Sequence, residues 1–430
     1  MVTFVLILLF FGLLALDVPV AFCIGISTLA ALLLSLDPGP AITTMAQRML
    51  SGLDSFALLA IPLFILSGIL MGHGGIARRL IDFAKSLVGM LPGGLAIVNV
   101  ISCALFGAIS GSAIAANSAV GGFMIPAMEK EGYGRDFGAA VTAAASTTGL
   151  LIPPSNIMIV YAVVSGGVSI AALFVGGYLP GLLVALLLAV VCLVYARRKG
   201  LRGAARSTFS ETARSGLRAL PSLLLIVVVI GGILGGIFTA TEAGAIAVLY
   251  ALALSSVYRE ISLKDLYPIL LKSAETTAIV MFLIAASVAM SWVLAYHSLP
   301  SQVASALLDL SDNPFVILLI INLALLVVGA FMDMTPAVLI FTPIFLPVVT
   351  ALGMSPLHFG IVMVLNLCIG LCTPPVGSIL FASCAIANTT MSRILRPLIP
   401  MYVAMFVALM LVTYVPGISE WLPRALGLID

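Results

Sequence analysis

The sequence has 430 residues, of which 62% are hydrophobic and 8% charged, with a formal net charge of +2. A soluble domain carries about 25% charged residues, so this composition excludes a water-soluble globular protein. Apolar runs of roughly 18 to 25 residues recur from end to end, and each is long enough to cross a ~30 Å hydrocarbon core. Because the runs are continuously apolar and lipid satisfies no backbone group, they predict an all-α polytopic membrane protein.

The N-terminal region, residues 1–55, is predicted to form scaffold spans. Its first apolar stretch, residues 1–16, is short enough to be mistaken for a signal peptide. No Lys or Arg precedes Arg48, however, whereas a signal peptide begins with a basic segment. We therefore interpret this stretch as an uncleaved first span.

The rest of the chain contains an internal duplication. Residues 60–71, AIPLFILSGILM, resemble residues 278–290, AIVMFLIAASVAM. The proline pair at 153–154 recurs 221 positions later, at 374–375. Duplicated halves with interrupted helices are typical of secondary transporters. We place the first repeat at 56–195 and the second repeat, with a C-terminal span, at 275–430.

The region between the repeats, 196–274, is predicted to hold a basic connection and linking scaffold helices. The basic connection, residues 197–218, contains seven of the 19 basic residues and a single acid, Glu211. These seven are Arg197, Arg198, Lys199, Arg202, Arg206, Arg214 and Arg218. The positive-inside rule places this connection in the cytoplasm. Because it adjoins spans, we expect membrane topology, and no nucleic acid, to explain its charge.

Four tracts rich in Gly, Pro, Ser and Thr interrupt the apolar runs, two in each repeat. They are residues 107–118, 147–156, 329–336 and 370–378. No helix runs unbroken through a proline pair, and the carbonyls freed there must be buried in protein or line a wet cavity. Carbonyl and hydroxyl oxygens suit an alkali cation, and the next half-helix offers its N-terminus to an anion. A kink for close helix packing is the structural alternative.

Ionisable residues inside spans are functional candidates because burying a charge in lipid is costly. Asp333 lies within a break, and Glu242 lies in a span outside the duplication. Glu275 begins a span and is expected at the membrane surface. The three histidines, His73, His297 and His358, fall at segment ends and are expected in loops.

Taken together, the motifs resemble the large membrane subunit of a TRAP (tripartite ATP-independent periplasmic) transporter. The resemblance rests on residues 107–118, the two proline pairs, TATEA at 239–243, MDMTP at 332–336 and WLPR at 421–424. It implies two inverted structural repeats, each with a helical hairpin and a discontinuous helix, in an elevator-type transporter. It also implies sodium-coupled import of a small organic acid across the bacterial inner membrane. A small four-helix membrane subunit and a periplasmic solute-binding protein would be its partners.

The resemblance also assigns site residues. One sodium site would comprise Ser110, Ser112, Gly149, Ile152 and Pro154, largely through backbone carbonyls. Its symmetry mate would comprise Gly329, Thr335, Gly370, Thr373 and Pro375. The candidates for substrate contact are Asn117, Ser155, Asn156 and Asp333. Sodium is the coupling ion, and no cofactor is expected.

Three other functions share some of these features, and the residues disfavour each of them. A sodium/proton antiporter or another ion-coupled carrier would also use broken helices, but normally has more buried carboxylates than Asp333 and Glu242. An intramembrane serine protease would use Ser110, yet Ala108 stands where a rhomboid-like motif has Gly, and no His falls within a predicted span. No Gly-Lys dipeptide occurs, so a Walker A loop for an ATP-driven pump is missing. We therefore expect a transporter and not an enzyme.

Overall fold

The computed structural model describes residues 2–16, 18–73, 75–201, 203, 208–311 and 313–429. Every regular element in these ranges is a helix, which confirms the all-α prediction. Seven of the described helices are long and apolar enough to cross a membrane, or up to nine if two bent helix pairs each count as one span. Arg202 and Arg206 of the basic connection lie outside the described residues.

The N-terminal helices lead into the first hairpin and the first broken helix. They are α1 Val2–Ala15, α2 Val20–Ser35, α3 Pro38–Leu53, α4 Ala60–His73 and α5 Ile76–Val88. The first hairpin consists of α6 Gly94–Ser110 and α7 Ala113–Lys130. The first broken helix consists of α8 Arg135–Ser146, the single turn α9 Thr148–Leu151 and α10 Asn156–Val164, and the long helix α11 Ile170–Lys199 follows it.

Two linking helices, α12 Phe209–Leu234 and α13 Ala240–Tyr258, precede a second series of the same kind. The series begins with α14 Leu263–Tyr296 and α15 Leu299–Leu310. The second hairpin is α16 Pro314–Phe331 with α17 Met334–Ala351, and the second broken helix is α18 Pro356–Gly370 with α19 Ser378–Ala387. The chain ends in α20 Met391–Tyr414 and α21 Gly417–Ala425. The order of two helices, a hairpin, a broken helix and a long helix thus occurs twice.

The two hairpins enter the bundle from opposite ends. The base of the first hairpin lies near the basic end of α11, where Tyr195 donates a hydrogen bond to the Tyr133 carbonyl at 3.0 Å. The base of the second hairpin is tied to α21 by the hydrogen bond from Ser355 to Glu420. α21 in turn meets the other end of α11, since a Cβ on Gly176 would lie 2.9 Å from the Ser419 carbonyl oxygen. The 30 residues of α11 span about 45 Å, so the two bases lie at opposite ends of this helix.

Buried polar pairs hold each hairpin to the broken helix of its own half. The Asn99 amide of α6 donates to the Thr142 hydroxyl of α8 at 2.7 Å. In the second half, the Asn366 amide of α18 donates to the side-chain oxygen of Asn322 in α16 at 2.8 Å. A buried polar group without a partner costs free energy, so these bonds fix the register between the packed helices.

One expectation about titratable residues was wrong, and the partners of a second residue were not predicted. His358 does not lie in a loop: it is buried in the first turn of α18, where its ring nitrogens meet the Ser419 hydroxyl at 2.5 Å and the Thr413 carbonyl at 3.2 Å. Glu242 lies in the first turn of the apolar helix α13, and its exposed carboxylate accepts hydrogen bonds from the backbone and hydroxyl of Thr239, both at 2.8 Å. The pair forms a capping box at the start of α13. The side chain of His73 lies outside the described residues.

Candidate functional site

A cavity of about 510 Å³ lies between the two hairpin tips and the helices α4 and α14. The first tip lines it with Ser110, Gly111 and Ser112, and the second with Asp333, Met334 and Thr335. Asn156 and Ser378, the first residues of α10 and α19, also line it. The opposite wall contains Ile61, Ile65, Gly68 and Ile69 of α4 and Lys272, Thr276 and Val280 of α14.

The first hairpin tip is a tight turn made by one glycine between two serines. Gly111 has a φ of +61°, a left-handed conformation that glycine adopts without strain. Ser112 caps α7 by accepting a hydrogen bond from the Ala115 backbone at 3.3 Å, and the Ser110 hydroxyl donates to the Ser112 carbonyl at 3.3 Å. The tip abuts the first broken helix, since a Cβ on Gly111 would lie 3.2 Å from the Pro154 carbonyl oxygen.

Glycine pairs bring each hairpin into backbone contact with its broken helix. Gly107 of α6 packs directly on Gly149, and a Cβ on either residue would overlap the backbone of the other. Gly329 of α16 packs on Gly370 of α18 in the same way, and a Cβ on Gly370 would lie 2.6 Å from the Gly329 Cα. Three of these four glycines were predicted as cation ligands. Gly107 was missed as a contact residue, although its correspondence with Gly329 was visible in the repeat.

The second hairpin tip has an extended backbone instead of a left-handed turn. Met332 and Asp333 both adopt extended conformations, and the Asp333 side chain makes no capping hydrogen bond to α17. The tip is tied to the second broken helix by the Val376 backbone, which donates to the Ala330 carbonyl at 3.1 Å. The Asp333 carboxylate and the Thr335 side chain therefore stand at the cavity with acceptor capacity available.

Both broken helices are interrupted at their proline pairs, and both Pro-Pro peptide bonds are cis. Before the first pair, the Ile152 backbone donates to the Thr148 carbonyl at 2.9 Å. Before the second pair, the Thr373 hydroxyl donates to the Ile369 carbonyl at 2.8 Å, and the Tyr402 hydroxyl donates to the Cys372 carbonyl. The Thr373 oxygen keeps lone pairs that can accept a hydrogen bond or bind a cation.

Three buried side-chain atoms next to the proline pairs have no hydrogen-bond partner. They are the Ser155 Oγ, the Asn156 Oδ1 and the Ser378 Oγ. All three stand at the beginnings of half-helices, where the free N–H groups and the helix dipole favour an anion. Thirteen such atoms occur among the described residues, and these three are the ones that lie beside the helix breaks. Because an unpartnered buried polar atom costs about 1–3 kcal/mol, a ligand that paired with them would be stabilised there.

The predicted site residues divide into three groups. Five of them line the cavity: Ser110, Ser112, Asn156, Asp333 and Thr335. The predicted residues of the broken helices (Gly149, Ile152, Pro154, Ser155, Gly370, Thr373 and Pro375), together with Gly329, lie in or beside the two breaks. Asn117 lies elsewhere: it is buried in α7 and accepts a hydrogen bond from Ser383 of α19 at 2.7 Å.

Four polar residues that line the cavity were not predicted as site residues: Ser118, Lys272, Thr276 and Ser378. Ser118 and Ser378 end two of the four predicted tracts, whereas Lys272 and Thr276 stand on either side of Glu275, which was expected at the membrane surface. The described part of the chain contains no group of three or more His, Cys, Asp and Glu side chains placed to hold a metal ion. A cation in this region would therefore depend on carbonyl and hydroxyl oxygens, which suit sodium better than a transition metal.

Comparison with known proteins assigns nearly the whole chain to the family that its motifs resemble. Residues 7–418 match the family described as "Tripartite ATP-independent periplasmic transporter, DctM component". The protein YgiK of Salmonella typhimurium is 52% identical over 95% of this chain and 94% of its own length. The C4-dicarboxylate TRAP transporter large permease protein DctM of Pseudomonas aeruginosa is 42% identical over 90% of this chain and 91% of its own length.

A solved structure supports the fold. The crystal structure of the YdaH transporter of Alcanivorax borkumensis superposes with a TM-score of 0.62 at 15% identity, covering 87% of this chain and 88% of that one. The family match confirms the predictions of a transporter rather than an enzyme and of a multi-pass inner-membrane protein. The chain belongs to the family of large permease subunits of tripartite ATP-independent periplasmic transporters.

Proposed function

We propose that this subunit imports a small organic acid together with sodium ions, and that a periplasmic solute-binding protein delivers the acid. The observation that carries this proposal is the cluster of unpartnered polar atoms, Ser155 Oγ, Asn156 Oδ1 and Ser378 Oγ, at both helix breaks. A cavity of about 510 Å³ beside these breaks has room for a small organic molecule.

The sodium ions would bind where each hairpin tip meets its proline pair. In the first half, Ser110, Ser112, Gly149, Ile152 and Pro154 would supply carbonyl and hydroxyl oxygens. In the second half, Gly329, Thr335, Gly370, Thr373 and Pro375 would do the same. The backbone contacts at the two glycine pairs support this proposal, because they leave no side chain between the facing backbones.

The carboxylate of the acid would bind at the beginnings of α10 and α19. Free N–H groups and the positive ends of the helix dipoles favour an anion there. Ser155, Asn156 and Ser378 add hydroxyl and amide donors at the same place. The Asp333 carboxylate accepts hydrogen bonds only, so it would meet a hydroxyl or amide of the substrate and not its carboxylate. The dicarboxylate named for the Pseudomonas relative supports the choice of an acidic substrate.

The partners follow from the family. A tripartite transporter requires a binding protein and a small membrane subunit, and we propose that both act with this chain. We further propose an elevator motion, in which the hairpins and broken helices move as a body against α4 and α14. The part of this wall that α4 presents to the tips is apolar, which suits a sliding contact.

One experiment tests the coupling. The subunit is reconstituted with its small subunit and binding protein, an inward sodium gradient is imposed, and uptake of a labelled organic acid is followed. Uptake should require both sodium and the binding protein. Uptake that persists without either of them would contradict the proposal.

Thr373→Val sharpens this test, because it removes a hydroxyl oxygen from the second proline turn while preserving the size of the side chain. We expect the sodium concentration for half-maximal uptake to rise severalfold. Thr350→Val is the matched control: its hydroxyl also donates to a carbonyl of its own helix, at 2.8 Å, but it lies outside the cavity. Equal sodium dependence of the two variants would remove Thr373 from the site.

A further inference from the structure

One wall of the cavity is a polar face of α14. Lys272, Thr276 and Val280 are four residues apart, so their side chains project from the same side of the helix. This face lies across the cavity from the hairpin tips. Two of the described residues that line the cavity are charged: Asp333 is negative and Lys272 is positive.

Lys272 lies between the hairpin tips and the end of the bundle that carries the basic connection, which we call the basic end. α12 and α13 are antiparallel neighbours, because Tyr250 donates a hydrogen bond to the Pro221 carbonyl at 2.7 Å. The end of α13 therefore returns to the level where α12 begins, next to the basic connection. An ion pair of 2.7 Å between Arg79 of α5 and Glu260 holds the link from α13 to α14 there.

Lys272 lies in the part of α14 that extends beyond the hydrocarbon core of the membrane. Its 34 residues extend about 51 Å, well beyond a ~30 Å hydrocarbon core. The charged residues of α14, from Lys264 to Glu275, all precede its apolar run, so the first turns are the part that projects out of the lipid at the basic end. Lys272 lies nine residues after Leu263, about 14 Å along the helix. An anion that leaves the tips along this wall towards the basic end would pass this ammonium group.

Lys272 already has an anionic partner that an incoming carboxylate can replace. Its Nζ lies 3.0 Å from the Glu275 carboxylate, and the two side chains are 64% and 57% exposed. Such exposed pairs contribute little to stability and exchange partners readily. A pair three residues apart on a helix often does no more than stabilise that helix. Here, however, the lysine also lines the cavity beside the Thr276 hydroxyl, a second hydrogen-bonding group.

We propose that Lys272 is an anion-binding residue on the exit path of the transported acid, with Glu275 as the internal competitor for its ammonium group. The acid's carboxylate leaves the half-helix ends, binds Lys272 in place of Glu275 and then enters the water at the basic end. This inference rests on the proposed function, since it takes an organic acid as the solute. It adds a fixed binding residue on the wall opposite the proposed sites.

The first test measures binding without transport, on the wild-type complex in detergent. Lysines are acetylated with a water-soluble succinimidyl ester, and the rate at each lysine is read by mass spectrometry. Succinate should slow the acetylation of Lys272 and leave Lys264 unchanged, since Lys264 is exposed in the first turn of the same helix and lies away from the cavity. Equal rates with and without succinate at Lys272 would overturn the inference.

The second test measures exit. Uptake of labelled succinate into proteoliposomes is inhibited by unlabelled succinate in the lumen, which faces the basic end of transporters that accept the binding protein from outside. Lys272→Gln should raise the half-inhibitory lumenal concentration about fivefold, the upper range for an exposed charge pair. Glu275→Gln should lower it, and Lys264→Gln should leave it unchanged. A Lys272→Gln variant with the wild-type value would also overturn the inference.

The two tests separate this inference from the proposed function. Protection of Lys272 from acetylation without sodium-driven uptake would contradict the proposed function and still support the anion site. Sodium-driven uptake without protection, and with unchanged inhibition in Lys272→Gln, would sink the anion site alone.

Discussion

The two hairpin tips occupy equivalent places in the two halves, yet they differ in chemistry. The first tip turns through the left-handed Gly111 and presents two serine hydroxyls. The second tip is extended and presents the Asp333 carboxylate with the Thr335 hydroxyl. Behind each tip, however, an equivalent pair of glycines brings the hairpin into contact with its broken helix. The backbone contact is shared between the halves, and the side chains at the cavity are not.

This difference suggests a division of labour within the proposed function. Cation sites made of backbone oxygens need only the shared geometry, so they can occur in both halves. An asymmetric solute needs unlike groups around it, and the unlike tips supply them. Mutations at the shared positions and at the unlike positions should therefore have different consequences.

The largest effect is expected at the shared glycine contacts. Gly149→Ala places a Cβ within the backbone of Gly107, and neither backbone can move without shifting a whole helix. We expect either loss of folded protein or a fall of about 10 °C in the midpoint of thermal unfolding in detergent. The reason is that overpacking a close contact costs about 1–3 kcal/mol, and occasionally more. Gly370→Ala should be milder, since its Cβ would lie 2.6 Å from the Gly329 Cα, a wider approach.

Gly122→Ala is the matched control for both glycine variants, because nothing lies within 4 Å of a Cβ at that position in α7. It should be as stable as the wild type or slightly more stable, since alanine favours helix over glycine. A Gly149→Ala variant with the stability of this control would contradict the close contact.

The next effect is expected at the second tip, and it should concern the solute. Asp333→Asn keeps the shape of the side chain and removes its charge. A hydrogen bond to a charged group contributes about 1.5–3 kcal/mol, so the KM for the organic acid should rise about tenfold or more. Initial rates of uptake at saturating sodium measure this change. Asp309→Asn, at an exposed position of α15, should have no effect. Equal KM values would remove Asp333 from the solute site.

The smallest effect is expected at the first tip. Ser112→Ala removes the hydroxyl that caps α7, which should cost about 1 kcal/mol of stability. Ser169→Ala removes a similar cap, since Ser169 accepts a hydrogen bond from Ala172 at 3.3 Å but lies outside the cavity. Both variants should lose similar thermal stability, and only Ser112→Ala should weaken the sodium dependence of uptake. Equal sodium dependence would confine Ser112 to a capping role.

Much of the fold was predictable because hydropathy and proline obey local rules. Apolar runs identified the spans, and the proline pairs located both breaks and revealed the duplication. The depth of a residue was harder to predict. α14 is longer than one membrane span, so Glu275, which was expected at the membrane surface, lies within a helix that also borders the cavity. Its neighbour Lys272, which lines the cavity, was not singled out from the sequence. The cap made by Glu242 was readable, since Thr239 and Glu242 have the spacing of a capping box.

Side-chain direction was the other obstacle. Asn117 follows the first tip by five residues, and sequence proximity suggested that it would face the solute. The helix instead turns it towards Ser383 of the other half. His358 was misplaced for a related reason: a proline at 356 marks the start of a helix as readily as a loop. The sodium and solute assignments remain predictions, because they depend on which carbonyls and hydroxyls point inward.

The doubling of the helix breaks has an electrical consequence. On the proposed function, two equivalent breaks would hold two monovalent cations beside one acid. A doubly charged acid would then cross as a neutral assembly, and the membrane voltage would do no work on it. A singly charged acid would cross with one excess positive charge, which gains about 2.3 kcal/mol per 100 mV when the interior is negative. The valence of the solute would thus decide whether the cell's voltage assists its accumulation.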